Sequence, residues 1–209
     1  MSDMNRARIL LVATLFLAVA LGGLAPGCVW GAEPTEQLRT QLERVLKVVQ
    51  DPGVKQGGRV AERRAVRKIA EEIFDFSDTA RRALARHWAQ RSAAERNEFV
   101  AVFTDVFEHA YLSKVELLQG DRVAYLGDSV EAGVATVRTR LTTKQGSQLD
   151  VDYRMQQRGP AGRWLVYDVL IEGVSLVDNY RNQFNSVIQR SSYQELVRRL
   201  KTIQSQVGS

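Results

Sequence analysis

The chain has 209 residues, of which 44% are hydrophobic and 25% are charged, and it carries a net charge of +5 with a pI of about 9.5. This length and composition are typical of a soluble globular protein and exclude more than one sizeable domain or two small ones. The basic balance is compatible with nucleic acid, an anionic membrane surface or an acidic partner, and it does not choose among them.

The first 32 residues have the pattern of a secretory signal peptide. Arg6 and Arg8 precede the uncharged apolar run 9–21, and small residues follow that run. The run is shorter than a typical membrane span, and an uncleaved N-terminal anchor is the alternative. We predict a signal peptide over residues 1–32 and an exported mature domain over residues 33–209.

Cys28 is the only cysteine of the chain. The surrounding "LAPGC" is similar to a bacterial lipoprotein signal, but Ala25 stands where such signals usually carry leucine. We therefore expect Cys28 to leave with the signal peptide, with lipidation of Cys28 as the alternative. The mature chain then has no disulfide, thiol nucleophile or cysteine metal site, so its core alone must hold the fold.

Export also argues against a nucleic-acid partner. The arginines of "RVAERRAVRK" and "RRLK" lack the interleaved aromatic side chains of a nucleic-acid surface. We interpret them as solvated helix faces, and we hypothesise that they steer docking onto acidic partner or membrane surfaces. The residues concerned are Arg63, Arg64, Arg67, Lys68, Arg198, Arg199 and Lys201.

Helical spacing of apolar residues predicts three helices in the first part of the mature chain. The first begins at Pro34 and stops at the "DPG" of residues 51–53. The second covers "GGRVAERRAVRKIAEEIF", and the third follows with Ser77 or Asp78 as its expected N-cap.

A fourth and longest helix is predicted after the third. It begins with a capping box of Ser92 and Glu95, ends at Gly120, and carries a wide apolar stripe at helical spacing. The stripe consists of Phe99, Val102, Phe103, Val106, Phe107, Ala110 and Tyr111.

After Gly120 the apolar period changes to two, which predicts strands. The predicted strands cover residues 122–130, 133–144, 147–158 and 163–172. The inward sets of the second and third strands are Ala135, Val137, Thr139 and Leu141, and Leu149, Val151, Tyr153 and Met155. Both sets share one face only if the hairpin loop has an odd number of residues, which a three-residue "QGS" loop with a left-handed Gly146 provides.

The fourth strand, "RWLVYDVLI", is apolar on both faces, which indicates a strand that is central or covered twice. The pattern leaves its inward set open. A four-residue "GPAG" loop selects Trp164, Val166, Asp168 and Leu170, whereas a loop that differs by one residue selects Leu165, Tyr167, Val169 and Ile171. Ser175 is then expected to cap a helix, and a short last helix closes the chain.

These elements predict an α+β fold in which helices wrap a twisted four-stranded antiparallel sheet. The apolar residues exceed what the core of about 177 residues needs. We therefore expect an apolar cavity between the sheet and the helices, suited to an apolar ligand.

Few residues suit catalysis. His87 and His109 lack the spacing of metal ligands, and "EGVSLV" has Val177 where a nucleophile elbow needs glycine. The chain also has no glycine-rich phosphate loop. We expect no cofactor and no metal.

Asp168, within an apolar strand, is the one carboxylate for which a shifted pKa is considered. We interpret it as hydrogen-bonded to a neighbour such as Tyr153, Arg181 or a backbone amide. The alternative is a general base, acting with a tyrosine, in an isomerase-like small-molecule enzyme.

Five segments of the chain carry a resemblance. They are "FDFSDTARRALARHW", "ERNEFVAVFTDVFEHAY", "VDYRM", "GRWLVYDVLIEGVSLVDNYRNQF" and the closing "YQELVRRL". Together they resemble the MlaC-type family, the periplasmic phospholipid carriers of Gram-negative bacteria that are also called the toluene-tolerance family. The resemblance covers roughly residues 36–203, and the fourth segment is its most specific part. The chain departs from the family at "LARHW", where Leu-Gly often precedes the tryptophan.

The resemblance implies a periplasmic shuttle without enzyme activity. Such a shuttle carries phospholipid between an outer-membrane lipoprotein complex and an inner-membrane ABC transporter with a substrate-capturing ring. The resemblance also implies that the acyl chains lie between the sheet and the helices. The residues expected to contact them are Phe103, Phe107, Tyr111, Val137, Val151, Tyr153, Met155, Val166, Val169, Val174, Leu176 and Tyr180.

Two further alternatives stay open. A branch of the same family is associated with hopanoid-producing bacteria, so the ligand could be a hopanoid or another apolar molecule. The chain could also be an interaction module whose apolar residues are simply core. For a phospholipid we expect the head group to lie outside with weak selectivity, because only the helix start at Ser175 and Arg181 could favour an anion near the mouth.

Overall fold

The computed structural model describes residues 33–112, 122–142, 146–160 and 162–207, which belong to one compact unit. The predictions for the signal peptide, for Cys28 and for the helix end at Gly120 lie outside these residues. Seven α-helices occur among the described residues. They are α1 (Pro34–Gln50), α2 (Pro52–Gln56), α3 (Gly58–Ile73), α4 (Phe76–Leu84), α5 (Ala93–Leu112), α6 (Leu176–Arg190) and α7 (Tyr193–Val207).

The first helix has the start and the buried face that its sequence predicts. Pro34 occupies its first turn, where a helix needs no N–H donor, and Leu38, Val45 and Val49 are buried. The "DPG" sequence ends α1, but residues Pro52–Gln56 then form the short helix α2 instead of a simple turn.

Two predicted caps are confirmed. At the start of α5, the Ser92 N–H donates to Oε2 of Glu95 at 2.8 Å, and the Glu95 N–H donates to Oγ of Ser92 at 3.2 Å. At the start of α6, Oγ of Ser175 accepts from the N–H of Asp178 at 3.0 Å. In both places a short polar side chain satisfies backbone donors that the helix itself leaves unpaired.

The predicted cap of α4 is wrong. The N-cap is Asp75, whose Oδ1 accepts from the N–H of Asp78 at 2.9 Å, so neither Ser77 nor Asp78 takes that role. The N–H of Asp75 also donates to the carbonyl oxygen of Val166 at 2.9 Å, and Phe74 forms a parallel bridge to Val166. The start of α4 is therefore fixed by the edge of the sheet as well as by its own sequence.

The sheet is an antiparallel meander in the order β1-β2-β3-β4-β5. The strands are β1 (Arg122–Glu131), β2 (Val134–Thr142), β3 (Gln148–Arg158), β4 (Arg163–Ile171) and β5 (Val174–Ser175). The prediction of four strands is corrected to five. Glu172 and Gly173, with φ of 50° and 76°, make a two-residue hairpin turn, so the chain folds back and pairs briefly with β4.

The β2–β3 hairpin has the predicted parity but not the predicted length. Thr142 lies opposite Gln148, so five residues connect the strands, an odd number that keeps both apolar sets on one face. Gly146 has a φ of 83°, as expected for a left-handed turn residue. We define the inner face of the sheet as the face that carries Val137 of β2 and Val151 of β3.

A β-bulge in β4 decides which residues of this strand point inward, a question that the sequence left open. Arg154 pairs with Asp168 and Met155 pairs with Val166, so Tyr167 is an extra residue on β4. Before the bulge Trp164 and Val166 are inward, and after it Val169 and Ile171 are inward, opposite Tyr153 and Val151. Each of the two predicted sets is therefore correct for one half of the strand.

The first turn of α1 holds two strands of the sheet. Oγ1 of Thr35 donates to Oδ2 of Asp128 on β1 at 2.7 Å. The side chain of Gln37 bonds the backbone of Trp164 on β4, accepting from its N–H at 3.1 Å. Because two residues of one helix turn reach both β1 and β4, the sheet curves around the apolar residues between it and the helices.

No helix in the described part of the chain combines the length and the apolar composition that a membrane-spanning segment requires.

Candidate functional site

The inner face of the sheet and the aromatic side of α5 enclose an apolar interior. Phe99, Phe103 and Phe107 are four residues apart, so they lie on one side of α5, and each is at most 3% exposed. From α6, the rings of Tyr180 and Phe184 lie 5.1 and 5.4 Å from the ring of Phe103 in edge-to-face arrangements. This cluster forms the helical wall of the interior.

The opposite wall comes from alternate residues of β2, β3 and β4. Val137 and Val166 are completely buried, and Met155 and Val151 are nearly so. Thr139 is the one polar side chain in the buried set of β2, and its hydroxyl donates to the carbonyl oxygen of Val151 at 2.7 Å. The alternation predicted from the sequence for β2 and β3 is confirmed.

Ten of the twelve residues predicted to contact lipid lie in this interior or pack against it. They are Phe103, Phe107, Val137, Val151, Tyr153, Met155, Val166, Val169, Leu176 and Tyr180. The structure places them together, whereas their contact with a lipid stays a prediction. The side chain of Tyr111 lies outside the described part of the chain.

Val174 is the residue that the structure places elsewhere. Its side chain is 61% exposed, because β5 has only two residues and lies at the edge of the sheet. The prediction that Val174 lines the interior is therefore corrected. The apolar character of the segment gave no sign that a tight hairpin would place Val174 at the edge.

Some residues of the interior are missing from the predicted set. Leu38 of α1 is completely buried, Phe184 is 4% exposed, and Tyr125 of β1 packs against the core. Helical spacing was a usable signal for Leu38, which lies four residues before Leu42, and for Phe184, four residues after Tyr180. Tyr125 had a weaker signal, since the bulge at Leu126 interrupts the alternation of β1.

Asp168 projects from the opposite, outer face of the sheet. Its Oδ2 accepts from the hydroxyl of Ser175 at 2.7 Å and from Nη1 of Arg154 at 3.2 Å, and its Oδ1 accepts from the N–H of Val177 at 3.1 Å. The predicted backbone-amide partner is confirmed, whereas the partners Tyr153 and Arg181 are not. A general base facing the interior is excluded, because Asp168 faces away from it and fixes the start of α6.

The predicted anion site near Ser175 is not available to a ligand. Asp168 already occupies the start of α6, which is where a phosphate would bind. Nη1 of Arg181 lies 2.8 Å from Oδ1 of Asp178, and its Nε donates to the carbonyl oxygen of Arg82. Both groups named for weak anion binding are thus paired within the chain.

Most of the basic side chains predicted to steer docking are also paired. Arg67 contacts carboxylates of α3 and α5, Arg198 and Arg199 contact Glu195, and Lys201 contacts Glu98. The side chain of Arg63 is not described. Arg64 and Lys68 are exposed and have no ion pair within the described ranges, so the steering hypothesis is now confined to them.

Neither histidine has the surroundings of a metal ligand. Nε2 of His87 lies 3.1 Å from Oδ1 of Asn185. In the described part of the chain, no group of three or more histidine, cysteine, aspartate or glutamate side chains could hold a metal ion.

Two comparisons with known proteins bear on this arrangement. A family model described as MlaC protein matches residues 39–202. Among solved structures, a phospholipid-binding protein from Ralstonia solanacearum, determined in complex with a phospholipid at 1.53 Å resolution, is similar with a TM-score of 0.75 and 26% sequence identity. The similarity covers 85% of this chain and 100% of that chain.

Proposed function

This chain belongs to the MlaC family, and on that premise we propose that it binds the acyl chains of a phospholipid between its sheet and its helices and carries the lipid through water. One observation carries the proposal. The similarity to the Ralstonia solanacearum protein spans the whole of a chain that was solved with a phospholipid bound. The apolar interior described above is the part of the fold suited to such a ligand.

The energetics suit a carrier. Two sixteen-carbon tails hold roughly 30 methylenes, and burial is worth about 0.8 kcal/mol each, so moving them out of water yields about 24 kcal/mol. A bilayer offers nearly the same free energy. A carrier whose interior matches the bilayer can therefore extract a lipid with a net change near zero, and small differences at each partner then set the direction of transfer.

The cellular setting is part of the same proposal. The chain is exported by the signal peptide over residues 1–32 and acts in the periplasm without catalysis. There it shuttles phospholipid between an outer-membrane lipoprotein complex and an inner-membrane ABC transporter with its substrate-capturing ring. The exposed Arg64 and Lys68 assist docking, in which case the rate of lipid transfer falls steeply as ionic strength rises. A transfer rate that is flat between low and physiological salt would contradict this docking role.

Mass spectrometry of the purified protein tests ligand binding directly. The native protein should carry a mass that matches one phospholipid, and solvent extraction should release that lipid. A released hopanoid would support the alternative ligand, and the absence of any copurifying lipid would support the interaction module.

Substitutions on the two faces of β3 provide a matched test of where the lipid lies. Val151→Arg places a charge in the interior and should abolish lipid binding, whereas Asp152→Arg changes the outer face and should leave binding intact. Circular dichroism checks that both variants fold. If Val151→Arg does not fold, Ile171→Phe, which narrows the interior at the position paired with Val151, replaces it. A folded interior variant that still carries lipid would show that the tails lie elsewhere.

A further inference from the structure

Two tyrosines of the inner face differ from the apolar residues around them. Tyr125 lies on β1 and Tyr153 on β3, so the two rings flank β2, where the small side chains of Val137 and Thr139 lie between them. Both tyrosines pack against the hydrophobic core and both remain partly accessible.

Protein packs around both phenol groups, and a buried tyrosine hydroxyl normally has a hydrogen-bond partner. Burial raises the pKa of Tyr153 well above its usual range and raises the pKa of Tyr125 to about 12. In the described parts of the chain, neither hydroxyl makes a hydrogen bond. Each tyrosine is packed against the core yet partly accessible, so its hydroxyl is a donor on the inner face that no group in the described parts of the chain uses.

We propose that the hydroxyls of Tyr125 and Tyr153 donate hydrogen bonds to the ester carbonyl oxygens of a bound diacyl lipid, and that the protein thereby prefers ester-linked lipids. The inference rests on the proposed function, since it names the lipid class for the same interior. The ester groups join the acyl chains to the glycerol, so they are the first polar atoms beyond the tails. Two donors on neighbouring parts of one wall suit the two esters of one lipid.

The charges near Tyr125 favour a neutral acceptor over a phosphate. The guanidinium of Arg39 lies 4.1 Å from the centre of the Tyr125 ring, and its Nε lies 3.2 Å from Oε1 of Glu36. Glu43 adds a second carboxylate whose field reaches Tyr125. Two carboxylates against one guanidinium leave this seam between α1 and β1 without net positive charge, so it does not attract an anion.

A competition between two matched lipids tests the inference. The protein, stripped of lipid, is incubated with vesicles holding equal amounts of a diacyl phospholipid and its dialkyl ether analogue with the same head group and chain lengths. The extracted lipids are then counted by mass spectrometry. We expect the wild type to enrich the diacyl lipid by about 2- to 10-fold for each hydrogen bond that the ether cannot accept. Tyr153→Phe and Tyr125→Phe should each reduce the enrichment, and the double variant should bring it near one.

Tyr167→Phe is the matched control, because Tyr167 lies at the bulge of β4, where Arg82 stacks on its ring, and not on the inner face. This control should keep the wild-type enrichment. Equal uptake of the two lipids by the wild type would overturn the inference and leave the proposed function standing. No uptake of either lipid would overturn both. An enrichment that the tyrosine variants do not reduce would show that other groups choose the lipid.

Discussion

Two regions of the molecule each bury a carboxylate, and they surround it differently. At the junction of β4 and α6, Asp168 is 3% exposed and accepts from a hydroxyl, a backbone N–H and a guanidinium. At the contact of α3 and α5, Glu108 is 7% exposed and its Oε2 lies 3.2 Å from Nε of Arg67. Oε1 of Glu108 has no hydrogen-bond partner in the described structure.

The two carboxylates differ in the donors that surround them and not in how deeply they are buried. Burial raises the pKa of Glu108 to about 7, the charge of Arg67 opposes the rise, and the carboxylates of Asp105 and Glu71 add to it. Asp168 combines neutral donors with one cation, so each of its oxygens is satisfied. One region uses its carboxylate as a structural anchor, and the other holds an acid that titrates near neutral pH.

Removing the anchor should have the largest effect. Asp168→Ala leaves the N–H of Val177 and the guanidinium of Arg154 without their acceptor, and it should lower the free energy of unfolding by about 3–4 kcal/mol. Urea denaturation measures the loss. Asp152→Ala, on the same face of the sheet, is the control and should cost less than about 0.5 kcal/mol. A similar small cost for both variants would mean that Asp168 is not an anchor.

The second carboxylate should make stability depend on pH. Because the pKa of Glu108 is raised in the folded state, the folded protein binds this proton more tightly than the unfolded chain does. Stability from this group is therefore full below the ordinary glutamate pKa and is lost as pH rises toward 7. We expect the wild type to lose about 2–3 kcal/mol more than Glu108→Gln between about pH 5 and about pH 8. Parallel pH profiles for the two proteins would contradict the assignment.

The role of Arg67 gives a finer test of the same region. Arg67→Met removes the cation that lowers the pKa of Glu108, so the pH at which Glu108 titrates should move upward. The carboxyl signal of Glu108 in an NMR titration reports this shift. Arg64→Met removes an exposed charge of the same helix and should leave the titration unchanged. A downward shift for Arg67→Met would show that burial changes outweigh the lost charge.

The smallest effect on stability is expected for a carboxylate whose ion pair is exposed to solvent. Asp150 and Arg140 lie opposite each other on the outer face, with Oδ1 and Nε 2.6 Å apart, and both are partly exposed. A double-mutant cycle with Asp150→Ala and Arg140→Ala should give a weak coupling that disappears at high salt, because solvent screens such pairs. A coupling that persists at high salt would show that solvent does not screen this pair, so that it behaves like the buried Asp168.

Regular patterns made much of the fold predictable from sequence. The alternation of Val151, Tyr153 and Met155 identified the inner face of β3, and the parity of the hairpin followed from it. The capping box of Ser92 and Glu95 and the cap at Ser175 were also local, because each acts within one helical turn. These features need no knowledge of distant residues.

The features that escaped prediction depend on distant contacts. Asp75 caps α4 because its N–H also pairs with Val166, far away in sequence. The burial of Glu108 depends on α3 packing against α5, and the "FEHAY" sequence gives no sign that this glutamate differs from the exposed Glu98 of the same helix. Val174 was expected inside because the two-residue strand β5 is too short to leave a pattern.

The bulge at Tyr167 has a consequence for insertions and deletions. The bulge absorbs this one added residue, so apolar side chains of β4 lie inward on both sides of it while Asp168 stays on the outer face. Deleting Tyr167 would restore strict alternation without turning any other side chain, because Val166 and Asp168 already lie opposite Met155 and Arg154, which are consecutive residues of β3. The strand can therefore lose one residue at the bulge and keep the same inner face, so homologous chains should include ones that lack the residue at this position.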